Sequence, residues 1–462
     1  MPPNAAATPS VAATSSTSPN AAASPSASPH TAIPDDGIPE NTIPEDATPD
    51  AAPRRRKKIP LPTGSALAVL AAAVLTLLIA VGLLELPVLR HTQGRILFPL
   101  DGAFLNISVG RNLAFYQVWG ISKHSFQSAA SSLLYPLTLA PVFFIAGAYL
   151  IIPLVVNVLT AVYFLYALQQ ALLRRHFNPL RQLLVLLAAM TLTALPLLVV
   201  SGMEYVLQLL FVFLFMETLA TALKDGLPIS RLIYLYAALA VAARYEDTLV
   251  ILLAGILLRI QRGWRPAIKL VAVALSPILL FGALSLSKGG YFLPNSLLLD
   301  PFSVRNLRSL AHFQQNCRRM YDQQYPTAGF VHRYYYRSTV GIDEPGAISW
   351  FSEGQKLDFT GVANRDVIRS KRMHYWSPVY VDSLSRLDGI RAAIVSDPWF
   401  SNHRPQKWDR VASWNIPDQG PTPGPPKTVT FYAIDNWDTT NLRRNLREYE
   451  HFLPAGVAVR YY

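Results

Sequence analysis

The residues of this chain whose types can do chemistry are polar groups set beside long apolar runs. Asp101 opens "LDGAFLNISVGRNLA", and Arg111 and Asn112 come near its end. Glu204 sits in "SGMEY", Arg244 and Glu246 in "RYED", and Lys288 and Asn295 bracket "SKGGYFLPN". A carboxylate within reach of a hydroxyl acts as a general base, and placed cations stabilise charge on a departing anion. Each residue also has a plainer reading. Asp is among the best helix N-caps, so Asp101 fits a cap of the helix that follows as well as it fits a base. Glu204 fits the start of the next span. An Arg–Glu pair inside an apolar hairpin needs its partner whatever its role.

The elements that position these groups are those of a membrane protein. The chain has 462 residues, 51% hydrophobic and 15% charged, with positive mean hydropathy, which is too apolar for an ordinary soluble globule. The net charge of +12 comes from basic clusters beside apolar segments, as membrane insertion requires. It comes with no nucleic-acid-binding module. The lone Cys317 excludes an intramolecular disulfide framework and a multi-cysteine zinc site. Residues 1–58 read as a disordered cytoplasmic tether rich in Ala, Ser, Thr and Pro, ending in "RRRKK".

That basic patch precedes "SALAVLAAAVLTLLIAVGLL", long enough to span about 30 Å as a helix. The patch stays in the cytoplasm, so the loop 87–132, with Asp101, emerges outside. Spans at 152–173, 182–201, 205–223 and 267–286, with a short helical hairpin over 231–258, then keep the later basic clusters cytoplasmic. "SSLLYPLTLAPVFFIAGAYL", interrupted by Pro136 and Pro141, reads as a broken, re-entrant or in-plane piece. The domain 59–299 therefore makes about seven passes. On a helical wheel Asp101, Ser108 and Asn112 share one face flanked by Leu105, Val109 and Leu113, as in a helix resting on a membrane. The outer loop also carries Arg90, Arg95, Arg111 and Lys123 against one acid, against the usual charge rule. Phosphate binding would account for them. Residues 300–462 form an extracytoplasmic α+β domain, with a helix over "VRNLRSLAHFQQNCRRMYDQQY", an exposed loop "PDQGPTPGPPK", and strand-like "GAISWF", "KLDFTGV", "AAIVSD" and "TVTFYAI".

Taken in order, these stretches resemble the C-type (GT-C) membrane glycosyltransferases, near the mycobacterial arabinofuranosyltransferase branch. "DGAFLNISVGRNLA" is similar to that branch's Asp-Asp-Ala-Phe followed by Arg-x-x-x-Asn-Leu, and "SSLLYPLTLAP" to its Thr-Ser-x-Leu-Trp-x-Leu-x-Leu-Ala-Pro. "SGMEY", "AARYEDTLVILLAG" and "GGYFLPNSL" resemble its Gly-Met-Glu, Ala-Arg-Pro-Glu-Gly and Tyr-Gly-Tyr-x-x-Pro-Asn. "GAISWFSEGQKLDFTGV" resembles Gly-Ala-Ile-x-Tyr-Phe with Asp-Leu-x-Gly-Leu. The chain departs from the pattern at Gly102, Tyr245 and Asp300, which puts the substrate in question.

The resemblance implies a GT-C-like polytopic enzyme of the bacterial plasma membrane. It would transfer a sugar from a polyprenyl-phosphate donor to an envelope polysaccharide, lipid or protein acceptor. Asp101 would be the base and Arg111, Arg244 and Lys288 the partners of the phosphate. Glu204 and Glu246 would orient substrate or cations, with Asn112 and Asn295 in the substrate site. One displacement inverts the anomeric configuration, and no cofactor is called for. The rival reading is a non-catalytic polytopic subunit, for transport or envelope assembly, that binds glycan or lipid. Such a protein needs polar residues through the depth of the bundle, whereas here they gather toward one side.

Overall fold

The computed structural model describes residues 64–299, 310–397, 400–417 and 426–462. The expected tail, Asp300 and most of the loop "PDQGPTPGPPK" lie outside them. Four helices are long and apolar enough to cross a membrane by length and composition: α1 (Gly64–His91), α4 (Ile151–Arg174), α7 (Tyr205–Lys224) and α10 (Trp264–Ser287). Shorter helices fill the rest of the bundle. These are α2 (Asp101–Tyr116), α3 (Leu134–Ala146), α5 (Pro179–Leu192), α6 (Leu195–Val200), α8 (Arg231–Ala243), α9 (Thr248–Arg262) and α11 (Asn295–Leu299).

The broken segment is α3, 13 residues with Pro141 inside, about 20 Å at the rise of a helix. The span expected over 182–201 is two helices instead. Ala194 takes a left-handed conformation at φ 49°, and Pro196, which has no N–H to give, starts the next helix at its second position. The hairpin over 231–258 is as expected, α8 and α9 joined by a 3-10 turn at Tyr245–Asp247.

Contacts sort the helix ends into two sets. At one end Gln169 donates to the Ala66 carbonyl at 2.6 Å. There too Arg174 and Arg175 pair with Glu217 at 3.3 and 2.7 Å, and Arg262 donates to the Ala222 carbonyl at 3.2 Å. At the other end Asn106 and Ser131 meet Glu204, and Glu204 meets Arg244. Basic clusters thus share one end, and the polar residues with chemical potential share the other.

Helix α2 corrects the in-plane reading. Ala103 through Gly110 and Asn112 are all buried, so the helix lies within the protein rather than on a membrane surface, with only Phe115 and Tyr116 of its last turn among its large apolar side chains exposed. Phe104 and Ile107 pack with Leu139 and Phe143 of α3 and with Trp350 of the C-terminal domain. Leu105 and Val109 pack against Ile121, Ala129 and Ala363. Gly110 permits the close approach, since a Cβ there would lie 3.2 Å from the Leu139 Cβ.

The C-terminal domain holds one mixed six-stranded sheet, in the order β2-β1-β3-β5-β4-β6. Its strands are β1 (Thr339–Ile342), β2 (Lys356–Asp358), β3 (Ile390–Asp397), β4 (Asp409–Ile416), β5 (Lys427–Ala433) and β6 (Ala458–Tyr461). β1 lies parallel to β2 and β3, with Gly341 opposite Leu357 and Ala393; the remaining pairs are antiparallel. One face packs Phe330, Trp414 and Tyr449, the other Phe359, Phe400 and Trp408. "GAISWF" is not a strand but most of the buried helix Pro345–Phe351. The helical run from Phe313 continues to Tyr334 through a π-helical turn at Met320–Gln324.

The basic residues between the end of α1 and the start of α3 join the two halves of the molecule. Arg111 donates to the carbonyls of Trp350 and Ser349 at 2.6 and 3.1 Å, near the C-terminus of Pro345–Phe351 where carbonyls are otherwise unpaired. Lys123 pairs with Glu353 at 2.9 Å, and Arg95 lies 4.8 Å over the Tyr325 ring. His91, ending α1, bonds Asp322 at 3.1 Å. These basic side chains thus form contacts between the bundle and the C-terminal domain.

Candidate functional site

Where bundle and C-terminal domain meet lies a cavity of about 870 Å³. The bundle contributes Asp101, Leu105, Ser131, Met203, Arg244 and Glu246, and the domain contributes Asp343, Glu344, Thr360, Val362 and Lys371. Leu297 and Leu299 of α11 complete an apolar stretch of wall.

Asp101 is the first residue of α2, after the N-cap Leu100. It does cap a helix, but another one. Its Oδ2 accepts the Gly346 N–H at 3.1 Å, at the start of Pro345–Phe351. The N-cap of that helix, Glu344, makes no side-chain cap bond of its own. Oδ1 of Asp101 is buried and has no hydrogen-bond partner. Burial first, then the Glu344 carboxylate, push the Asp101 pKa to about 7, against the opposing N–H groups of Gly346 and Ala347. A helix N-terminus alone would hold it low; here desolvation wins.

Gly346 makes this contact possible. A Cβ there would fall 2.2 Å from Asp101 Oδ1 and 2.4 Å from its backbone oxygen. Gly346→Ala should therefore push the two helices apart and lower stability by about 1–3 kcal/mol, the usual effect of overpacking. Thermal melting of the detergent-solubilised chain measures it. An unchanged melting temperature would contradict so close an approach.

Behind Asp101 sits a buried ion network. Glu204 is fully buried; its Oε2 accepts from Asn106 at 2.8 Å, and its Oε1 from Ser131 at 3.0 Å and Arg244 at 2.9 Å. Arg244 also grips Glu246 through Nη2 at 2.5 Å and Nε at 3.3 Å, and its guanidinium lies 5.0 Å over the Tyr205 ring. Asn106 locks the arrangement by accepting the Ser131 N–H at 3.1 Å. Three of the five N–H groups of the guanidinium are thus used.

Of the residues singled out from sequence, Asp101, Glu204, Arg244 and Glu246 come together. Glu204 stands behind the cavity wall, bonded to the lining residues Ser131 and Arg244, and Arg111, Asn112, Lys288 and Asn295 do not line the cavity. Arg111 serves the carbonyls of Ser349 and Trp350, and Asn112 donates to the Gly120 carbonyl at 2.8 Å while accepting from Arg111. Lys288 is exposed just beyond the end of α10. Asn295 is buried at the start of α11, its backbone N–H on the Ser128 carbonyl, beside the lining residues Ser296 and Leu297.

Sequence reasoning missed Glu344 and Lys371. Lys371 Nζ donates to the carbonyls of Phe359 and Thr360 at 2.6 and 3.0 Å, and burial pulls its pKa down. Asp358 shapes that loop by accepting from Thr360 and Ala363 at 2.8 and 2.7 Å, which presents Thr360 and Val362 to the cavity. The matching "KLDFTGV" was the one signal for this wall. Among the described residues no group of three or more His, Cys, Asp or Glu side chains is placed to hold a metal ion.

No curated protein and no solved structure matches the chain. A family model described as a domain of unknown function (DUF8728) matches residues 312–432, the C-terminal domain from its first described helix into β5.

Proposed function

We propose that this chain is a membrane glycosyltransferase of the GT-C type, transferring a sugar from a polyprenyl-phosphate donor to a cell-envelope acceptor with Asp101 as general base. One observation carries the reading: the Asp101 carboxylate, its pKa pushed up to about 7 by burial, lines a cavity that also holds Arg244. The acceptor oxygen bonds to the anomeric carbon as the carbon–phosphate-oxygen bond breaks. Its proton passes to Asp101, and the phosphate leaves with the electron pair. One displacement inverts the configuration. The remaining N–H groups of Arg244, and Lys371 across the cavity, face the leaving phosphate. Leu105, Met203, Leu297 and Leu299 offer an apolar wall to the lipid's first isoprene units. In this reading the cavity opens on the outer side of a bacterial plasma membrane, with the basic patch at 54–58 in the cytoplasm.

The test is release of polyprenyl phosphate from labelled polyprenyl-phosphate sugars by the purified chain, in the presence and absence of an envelope extract as acceptor. Acceptor-dependent release supports the reading, and no release from any sugar donor refutes it. A base works only when deprotonated. Turnover should therefore climb as pH rises through about 7 and level off above it. A rate flat between about pH 5 and pH 8 would remove Asp101 from the role.

The Asp101–Gly346 bond favours a second reading, in which the carboxylate is only a clamp between bundle and domain in a non-catalytic envelope subunit. Substitution of Asp101 separates the two.

A further inference from the structure

The helix Arg365–Arg372 is tied to the end of α10. Arg365 Nη1 donates to the Gly289 carbonyl, and the Arg372 guanidinium lies 5.6 Å over the Tyr291 ring. Gly289 and Tyr291 follow directly on a helix long and apolar enough to span a membrane. These two contacts hold Arg365–Arg372 at the level where hydrocarbon gives way to headgroups.

Its two faces differ sharply. Val367, Ile368 and Ser370 are buried in the domain, while Arg365, Arg369 and Arg372 are exposed at spacings of four and three, which is one side of a helix. Lys288, exposed and adjacent to Gly289, adds a fourth cation. The acid beside them is Asp366, 3.9 Å from the Arg365 Nε. Around these charges stand exposed apolar groups: Met373 at 61%, Val379 at 77%, Tyr375 at 40% and Phe292 at 38%. Cations mixed with aromatic and aliphatic side chains at the boundary of a bilayer are the composition of a surface that lies on a membrane. Guanidinium groups fit phosphate oxygens in a way that few protein surfaces supply.

We propose that this face rests on the bilayer and binds anionic lipid headgroups, forming a foot through which the C-terminal domain stands on the membrane. It is a surface separate from the cavity, and its test does not depend on any transfer activity.

The full chain carrying Met373→Cys, labelled with an environment-sensitive fluorophore, is placed in nanodiscs of phosphatidylcholine and phosphatidylglycerol in equal parts. Cys317 is buried and escapes the label. A shallow spin quencher is attached to one lipid or the other at the same mole fraction. A basic residue near an anionic surface gives on the order of a fivefold preference, so quenching by labelled phosphatidylglycerol should exceed that by phosphatidylcholine by about that factor. Arg369→Gln with Arg372→Gln should bring the ratio toward one. Raising the salt on the unsubstituted chain should do the same by screening, which covers the case of a variant that folds poorly. Water-like emission insensitive to both quenchers overturns the proposal and points to a protein partner for this face. Equal quenching by the two lipids, or a preference that survives both the substitutions and salt, overturns the assignment to these cations.

Discussion

Glu204→Ala should make the chain about 3–5 kcal/mol less stable than the unsubstituted protein, the usual penalty for stranding one member of a buried ion pair. Glu204 is fully buried and accepts three hydrogen bonds from side chains on three other segments. Its loss strips Arg244 of its most buried partner and leaves the Asn106 amide with only the Ser131 hydroxyl to accept from it. Glu246→Ala should do less, because the side chain of Glu246 is 32% exposed and water replaces it. Thermal or denaturant unfolding in one detergent measures both. If the two variants melt alike, Glu204 is not the keystone of the network.

The same substitution bears on function. Two carboxylates and the Tyr205 ring hold Arg244 in the cavity wall. A freed guanidinium in that place would turn toward whichever acid remained. In the proposed function Glu204 is thus a positioning residue, and its replacement acts on the proposed phosphate site through Arg244.

Much of this arrangement was legible in the sequence because its main determinants are local. Apolar length marks the four long helices, and charge placement sorts the helix ends so that Asp101, Glu204, Arg244 and Glu246 fall on one side. The hairpin with "RYED" at its turn followed from the same rule. What was not legible depended on partners far away in the chain. α2 carries the pattern of a surface helix, and nothing local says that the domain 245 residues later covers its exposed face. "GAISWF" is short and apolar, and such runs do not distinguish a strand from a buried helix. The preceding Glu-Pro was the cue to a helix start. Arg111 has the type and place of a phosphate ligand, yet open carbonyls at a helix C-terminus compete for the same guanidinium. Ala194 breaks a span where only the following Leu-Pro hinted at it. Lys371 lies in a segment whose charge density looks like an ordinary solvated surface.

Asp101→Asn tests the role of Asp101 most directly. Asn keeps an oxygen to accept the Gly346 N–H, so the clamp survives. It removes the proposed base. The sign of the pH effect on stability follows from the raised pKa: ionising Asp101 disfavours the fold increasingly as pH rises from about 4 to about 7. At pH 8 the unsubstituted chain carries that full penalty and the Asn variant does not. The variant should then melt no lower than the unsubstituted protein. Its turnover with a polyprenyl-phosphate sugar should nevertheless fall on the order of 10²–10⁴, the worth of a positioned proton acceptor. Near-normal transfer by a well-folded Asp101→Asn chain would contradict the account and leave Asp101 as a clamp alone.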